Sequence, residues 1–137
     1  MSTIDNEILI DRPPEQTWLI LGNLADVPRW VPGVTSARLN GMQRICTLAE
    51  GGAIQEQITD LSEERRYYSY QQTVHPLGLK QSEGTLAVEP DGKESSRVRW
   101  HAQVEFRDAG QEAQFLPMLE QGYAAALQQL KETVERS

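Results

Sequence analysis

At 137 residues, with 39% hydrophobic and 24% charged side chains, the chain is long enough for one ordinary core and too short for two. There are 20 acidic and 13 basic residues, giving a net charge of -7, and no basic cluster exceeds Arg65-Arg66. This pattern argues against nucleic-acid binding and against docking on an anionic membrane surface. Cys46 is the only cysteine, which excludes an internal disulfide and a thiolate cluster. The opening Met1-Ser2-Thr3-Ile4-Asp5 lacks the basic segment and apolar run of a secretion signal, and no stretch approaches bilayer length. The expectation is a single domain over residues 1–137, cytoplasmic, without stable membrane insertion.

In chain order, Ile4, Asn6, Ile8 and Ile10 alternate with Asp5, Glu7 and Leu9, which predicts a first strand over residues 3–11 with one largely apolar face. Asp11 before Pro13-Pro14 suits a helix start, with an acidic cap and proline in the first turn. That helix runs through Trp18 and Leu21 and ends near Gly22-Asn23. Residues 24–29 follow as a second short helical piece, closed by the turn Trp30-Val31-Pro32-Gly33.

Six strands are then predicted at about residues 35–40, 43–49, 53–61, 65–74, 79–89 and 95–107, separated by turns at Asn40-Gly41, Glu50-Gly51-Gly52, Ser62-Glu63-Glu64, His75-Pro76-Leu77-Gly78 and Pro90-Asp91-Gly92. Connections this short imply antiparallel hairpins, since a parallel return needs a long crossover. In the last strand Val98, Trp100, Ala102, Val104 and Phe106 face one way and Arg97, Arg99, His101, Gln103 and Glu105 the other, so one face is buried and one is wet. Leu116, Leu119, Tyr123, Leu127, Leu130 and Val134 recur at spacings of three and four, the stripe of an amphipathic C-terminal helix. Pro117 fits best in a first turn, which leaves the start at 110 or near 116. The fold class expected is α+β: a curved antiparallel sheet of seven strands, two short helices after the first strand, and a long helix covering the apolar face.

This order, with several local motifs, resembles the helix-grip superfamily, which includes START lipid-transfer domains, the birch-pollen-allergen group and bacterial polyketide cyclase/dehydrase-like (SRPBCC) proteins. Ile8-x-Ile10-x-x-x-Pro14-x-x-x-Trp18 and Trp30-x-Pro32-Gly33-Val34 resemble its entry motif. Gly41-x-x-Arg44 and Gly51-Gly52-x-x-x-Glu56-x-Ile58 resemble its next hairpin, and Arg65-Arg66-x-x-x-Tyr70 and Val98-x-Trp100 two later strands. Gly122-Tyr123-x-x-x-Leu127-x-x-Leu130-Lys131 resembles the closing helix. The resemblance spans essentially the whole chain. It implies the fold but no single function, because such folds host carriers, receptors and ring-closing enzymes.

Arg44 and Glu56 are the leading polar candidates. A hairpin turning at residues 50–52 sets them on one face, within reach of an Arg–carboxylate pair that could anchor a polar head group or fix the sheet as a structural ion pair. Tyr68 and Tyr70 fall in step with Gln72 and offer apolar bodies with one hydroxyl each, for a ligand or for ordinary packing. His75 sits in the turn before the sixth strand. The resemblance to plant-hormone receptors of the superfamily implies that the loops at 50–52 and 75–78 act as gates, while a plain His-Pro turn is the alternative. With Trp100 and Tyr123, the candidate ligand-binding set is Arg44, Glu56, Tyr68, Tyr70, His75, Trp100 and Tyr123, and no catalytic residue is assigned.

Two histidines at unrelated positions and one cysteine make no metal-ligand spacing, Gly51-Gly52 lacks the Lys/Ser and helix of a phosphate loop, and no serine stands in a nucleophile-elbow context, so neither metal nor cofactor is expected. Cys46 reads as an inert buried thiol. The first functional reading is binding or transport of a small hydrophobic ligand (lipid, polyketide or isoprenoid-like) in a cavity of about 300–1,000 Å³ between sheet and helix. The alternatives are a cofactor-independent polyketide cyclase or aromatase, and a protein-interaction module resembling chaperone-ATPase activator homologues. A homodimer is compatible with all three.

Overall fold

Period-two alternation along most of the chain builds one sheet in the computed structural model, which describes residues 1–137. The elements are β1 (Ser2–Ile10), α1 (Pro14–Leu21), a 3-10 turn (Leu24–Arg29), β2 (Val34–Asn40), β3 (Gln43–Leu48), β4 (Ala53–Ser62), β5 (Tyr67–Val74), β6 (Gln81–Pro90), β7 (Ser96–Glu105) and α2 (Ala109–Glu135). The seven strands lie in the order β1-β7-β6-β5-β4-β3-β2 with every pairing antiparallel. β2 to β7 therefore form one meander. β1 leaves the far edge, and α1 with the 3-10 turn carries the chain across one end of the sheet to β2. This is the α+β helix-grip arrangement expected from the sequence.

The concave face carries the core. Ile4, Ile10, Val98, Ala102 and Val104 from the β1–β7 pair meet Leu127, Leu130 and Val134 of α2 in one continuous cluster. α2 is fastened at both ends. Near its C-terminus Lys131 Nζ donates to the Leu9 carbonyl at 3.0 Å, Thr133 Oγ1 donates to the Arg29 carbonyl at 3.2 Å, and the Asp11 amide donates to Glu135 Oε2 at 2.9 Å. At its start Gln111 Nε2 donates to the Leu77 carbonyl at 2.8 Å. The middle of the helix bridges the sheet between these anchors.

Several local expectations are corrected. Asp11 does not cap α1: Pro13 holds that position without a side-chain bond, because the Asp11 backbone is turned toward the end of α2. β5 starts at Tyr67 rather than 65, since the turn runs on to Arg66, a non-glycine residue at φ 58°. Of the two starts expected for α2 the earlier holds: the helix begins at Ala109, with Asp108 Oδ1 accepting from the Gln111 amide at 2.8 Å, and Pro117 lies inside it and not in its first turn. The proline has no amide to offer the Ala113 carbonyl, and that turn lacks its rung. β4 bulges between Ile58 and Asp60, which returns Leu61 to the inner face opposite Tyr68.

One glycine positions the site directly. A Cβ on Gly84 of β6 would stand 2.6 Å from Tyr70 Oη, so only glycine lets that ring lie flat across the neighbouring strand. Gly84→Ala is expected to displace Tyr70 and cost about 1–3 kcal/mol, the range for overpacking a filled site. Urea unfolding measures this, and a loss under about 0.5 kcal/mol would show that Tyr70 moves aside freely.

Candidate functional site

The β3–β4 hairpin pairs Arg44 directly with Glu56, and both side chains are buried on the concave face. Arg44 Nε donates to Glu56 Oε1 at 2.9 Å and Arg44 Nη1 to the Leu24 carbonyl at 3.2 Å. Gln72 Nε2 donates to the other carboxylate oxygen at 3.1 Å, and Ser82 Oγ donates to Gln72 Oε1 at 2.7 Å. A polar row thus crosses four adjacent strands, β3 to β6. Two buried charges are tolerable there because each has its counter-charge and further hydrogen bonds. Cys46, next inward residue along β3, has its thiol pushed up to about 11 by burial, with Glu56 adding to the rise, so it is a neutral wall group.

An aromatic wall faces this row. Trp100 stacks on Tyr123 of α2 with centroids 4.1 Å apart and planes 7° apart, and Trp30 meets Trp100 edge-on at 6.0 Å. Trp100 Nε1 donates to Tyr70 Oη at 3.0 Å. The Arg44 guanidinium sits 5.3 Å from the Tyr68 ring centre, a cation–π contact. Burial raises the pKa of Tyr68, Tyr70 and Tyr123, so all three stay protonated and act as hydrogen-bond donors at neutral pH. The Arg44 guanidinium lies beside the Tyr68 hydroxyl and opposes the rise there, but neither that hydroxyl nor Trp30 Nε1 has a partner within hydrogen-bond geometry.

Between row and wall lies a chamber of about 200 Å³ under the middle of α2, roofed by Leu119, Tyr123 and Ala126. It is smaller than the expected range because the four rings of Trp30, Tyr70, Trp100 and Tyr123 occupy much of the width between sheet and helix. A more open space of about 450 Å³ adjoins it through the shared residues Pro32, Ile54, His75, Met118 and Leu119. This mouth is bordered by Glu50-Gly51 on one side and His75-Pro76-Leu77 on the other. His75 Nδ1 accepts from the Leu77 amide at 3.1 Å, and burial lowers its pKa, which keeps the ring neutral and able to accept.

All seven candidate residues, Arg44, Glu56, Tyr68, Tyr70, His75, Trp100 and Tyr123, line this one chamber. His101 lies on the convex face and bonds Asp5 of β1. Sequence reasoning left out Trp30, whose position before the Pro32-Gly33 turn was the available signal. It also left out Met118, Leu119 and Ala126, which the helical stripe could have placed near the opening, and Gln72 as the link that consumes the second Glu56 oxygen.

The comparisons with known proteins agree with this geometry. The family model described as polyketide cyclase/dehydrase and lipid transport matches residues 1–135. No curated protein sequence matches. Among solved structures, the chain is similar to the protein XoxI from Bacillus cereus (24% identity, TM-score 0.87, covering 98% of this chain and 96% of that one). It is also similar to the Zhui aromatase/cyclase from Streptomyces sp. R1128 (13%, 0.84, 98% and 94%). A third likeness is to norcoclaurine synthase from Thalictrum flavum in complex with dopamine and hydroxybenzaldehyde (17%, 0.77, 98% and 87%). These likenesses establish the helix-grip fold, and the family match over nearly the full length places the chain in the polyketide cyclase/dehydrase and lipid transport family.

Proposed function

We propose that this protein binds and carries a small hydrophobic molecule in the chamber between sheet and α2. The observation that supports this most is a space ringed by Trp30, Tyr70, Trp100 and Tyr123 with a polar row on its far wall, the mix of apolar lining and a few placed polar groups typical of ligand sites. The loops at 50–52 and 75–78 contribute Glu50, Gly51, His75, Pro76 and Leu77 to the rim of the open space, and we assign them the gate role. Cyclase chemistry is the second reading, favoured by the similarity to an aromatase/cyclase and to a synthase. It ranks lower because ring closure needs a base at the ligand: Glu56 is held by Arg44 and Gln72, the accepting nitrogen of His75 is taken by the Leu77 amide, and the tyrosines stay protonated.

Gly122 supplies the test. It borders the chamber, and a Cβ there meets nothing within 4 Å, so Gly122→Leu grows a side chain into open space. Replacing a mid-helix glycine also favours the helix by about 0.5–1 kcal/mol. Titration with the neutral two-ring fluorophore 6-acetyl-2-(dimethylamino)naphthalene is expected to show binding to the parent protein and at least a tenfold loss in Gly122→Leu, with thermal stability unchanged or higher. Equal binding by both proteins would place the ligand elsewhere.

A further inference from the structure

The polar row is bonded from within: Glu56 accepts from Arg44 and Gln72, and Gln72 Oε1 accepts from Ser82. Two donors among the chamber's lining residues have no such partner. Trp30 Nε1 can only donate and has no partner, and the fully buried Tyr68 hydroxyl has none either. Both orphaned atoms are closed off from solvent, and an unmet donor in such a place costs about 1–3 kcal/mol. A ligand that brings an acceptor to either atom recovers that cost.

Size and charge narrow the class further. An apolar cavity of about 150 Å³ takes up one benzene ring, so a chamber of about 200 Å³ suits one or two fused rings and not an acyl chain. Arg44 and Glu56 neutralise each other, so a carboxylate entering beside them would leave one buried negative charge uncompensated. The flat stack of Trp100 on Tyr123 presents a ring-shaped surface at the same place.

We infer that the ligand is a neutral one- or two-ring compound that carries a hydrogen-bond acceptor, such as an aromatic ketone, lactone or quinone, directed at Trp30 Nε1 or the Tyr68 hydroxyl. The inference rests on the carrier reading above and deepens it, because it excludes a fatty acid and an extended poly-carbonyl chain from the inner chamber.

Four probes separate the possibilities: 1-tetralone, its hydrocarbon counterpart tetralin, the anion 1-naphthoate, and palmitate. Each is titrated into the full chain labelled with nitrogen-15, following the Trp30 indole N–H signal, which Trp30→Phe assigns by its disappearance. The expected result is binding of 1-tetralone at least tenfold tighter than tetralin and 1-naphthoate, with the Trp30 indole signal moving downfield only with the ketone. Tyr68→Phe is expected to fold with undiminished melting temperature, to weaken the ketone toward tetralin, and to leave tetralin itself unchanged. Equal affinity for ketone and hydrocarbon, or preference for 1-naphthoate or palmitate, overturns the inference while the carrier reading stands. Failure of every probe, 6-acetyl-2-(dimethylamino)naphthalene included, overturns both.

Discussion

Replacing Arg44 with Met is expected to destabilise the protein by about 3–5 kcal/mol, because it strands the Glu56 carboxylate in a buried site. The Arg44 and Glu56 side chains are only 4% and 7% exposed, so water cannot take over the lost bond. The Leu24 carbonyl loses its donor in the same change, which loosens the 3-10 turn from β3. Glu56→Gln is milder in shape yet leaves Arg44 without its counter-charge and sets an amide N–H₂ against donors. A double-mutant cycle in urea, with Arg44→Met and Glu56→Leu, tests the coupling. The double variant should recover much of the loss, since apolar groups of similar volume often replace a buried pair without penalty. A single-variant loss below about 1 kcal/mol, within the worth of an ordinary surface ion pair, would sink this account.

The second large effect belongs to α2. Leu127 is 2% exposed in the cluster that joins the helix to the β1–β7 pair, and Leu127→Ala is expected to cost about 2–5 kcal/mol, the usual range for emptying a buried leucine site. The same substitution at exposed Met118, the residue before Leu119 at the mouth, should change stability by no more than about 0.5 kcal/mol. Chemical denaturation of both variants gives the comparison. Equal losses would mean that the inner and outer faces of α2 are misassigned.

The helix phase and strand faces were legible in the sequence because period and parity are local properties. Even-numbered Arg44 and Glu56 on either side of a turn centred at 50 must share a face, and the register pairs them directly. The bulge at Thr59 was not legible: nothing in Ile58-Thr59-Asp60-Leu61 marks where alternation slips, and only pairing with β5 reveals it. Asp108-x-x-Gln111 is a helix-start signature, and Gln111 closes it by accepting from the Arg107 amide at 2.8 Å, yet Pro117 kept a second start near 116 open because proline favours a first turn. The unmet Trp30 and Tyr68 donors were beyond reach of sequence reasoning, since a missing partner is a property of everything packed around an atom.

The Arg44–Glu56–Gln72–Ser82 row has a consequence for assembly of the sheet as well as for its finished state. Sliding β3, β4, β5 or β6 by one residue against a neighbour turns one member of the row to the convex side. The partner left behind then lies in the apolar interior without its bond. Purely aliphatic neighbours would tolerate several alignments at similar energy. These four side chains work like the notches of a key, penalising each near-miss alignment of the meander while accepting the one in which every notch meets its counterpart.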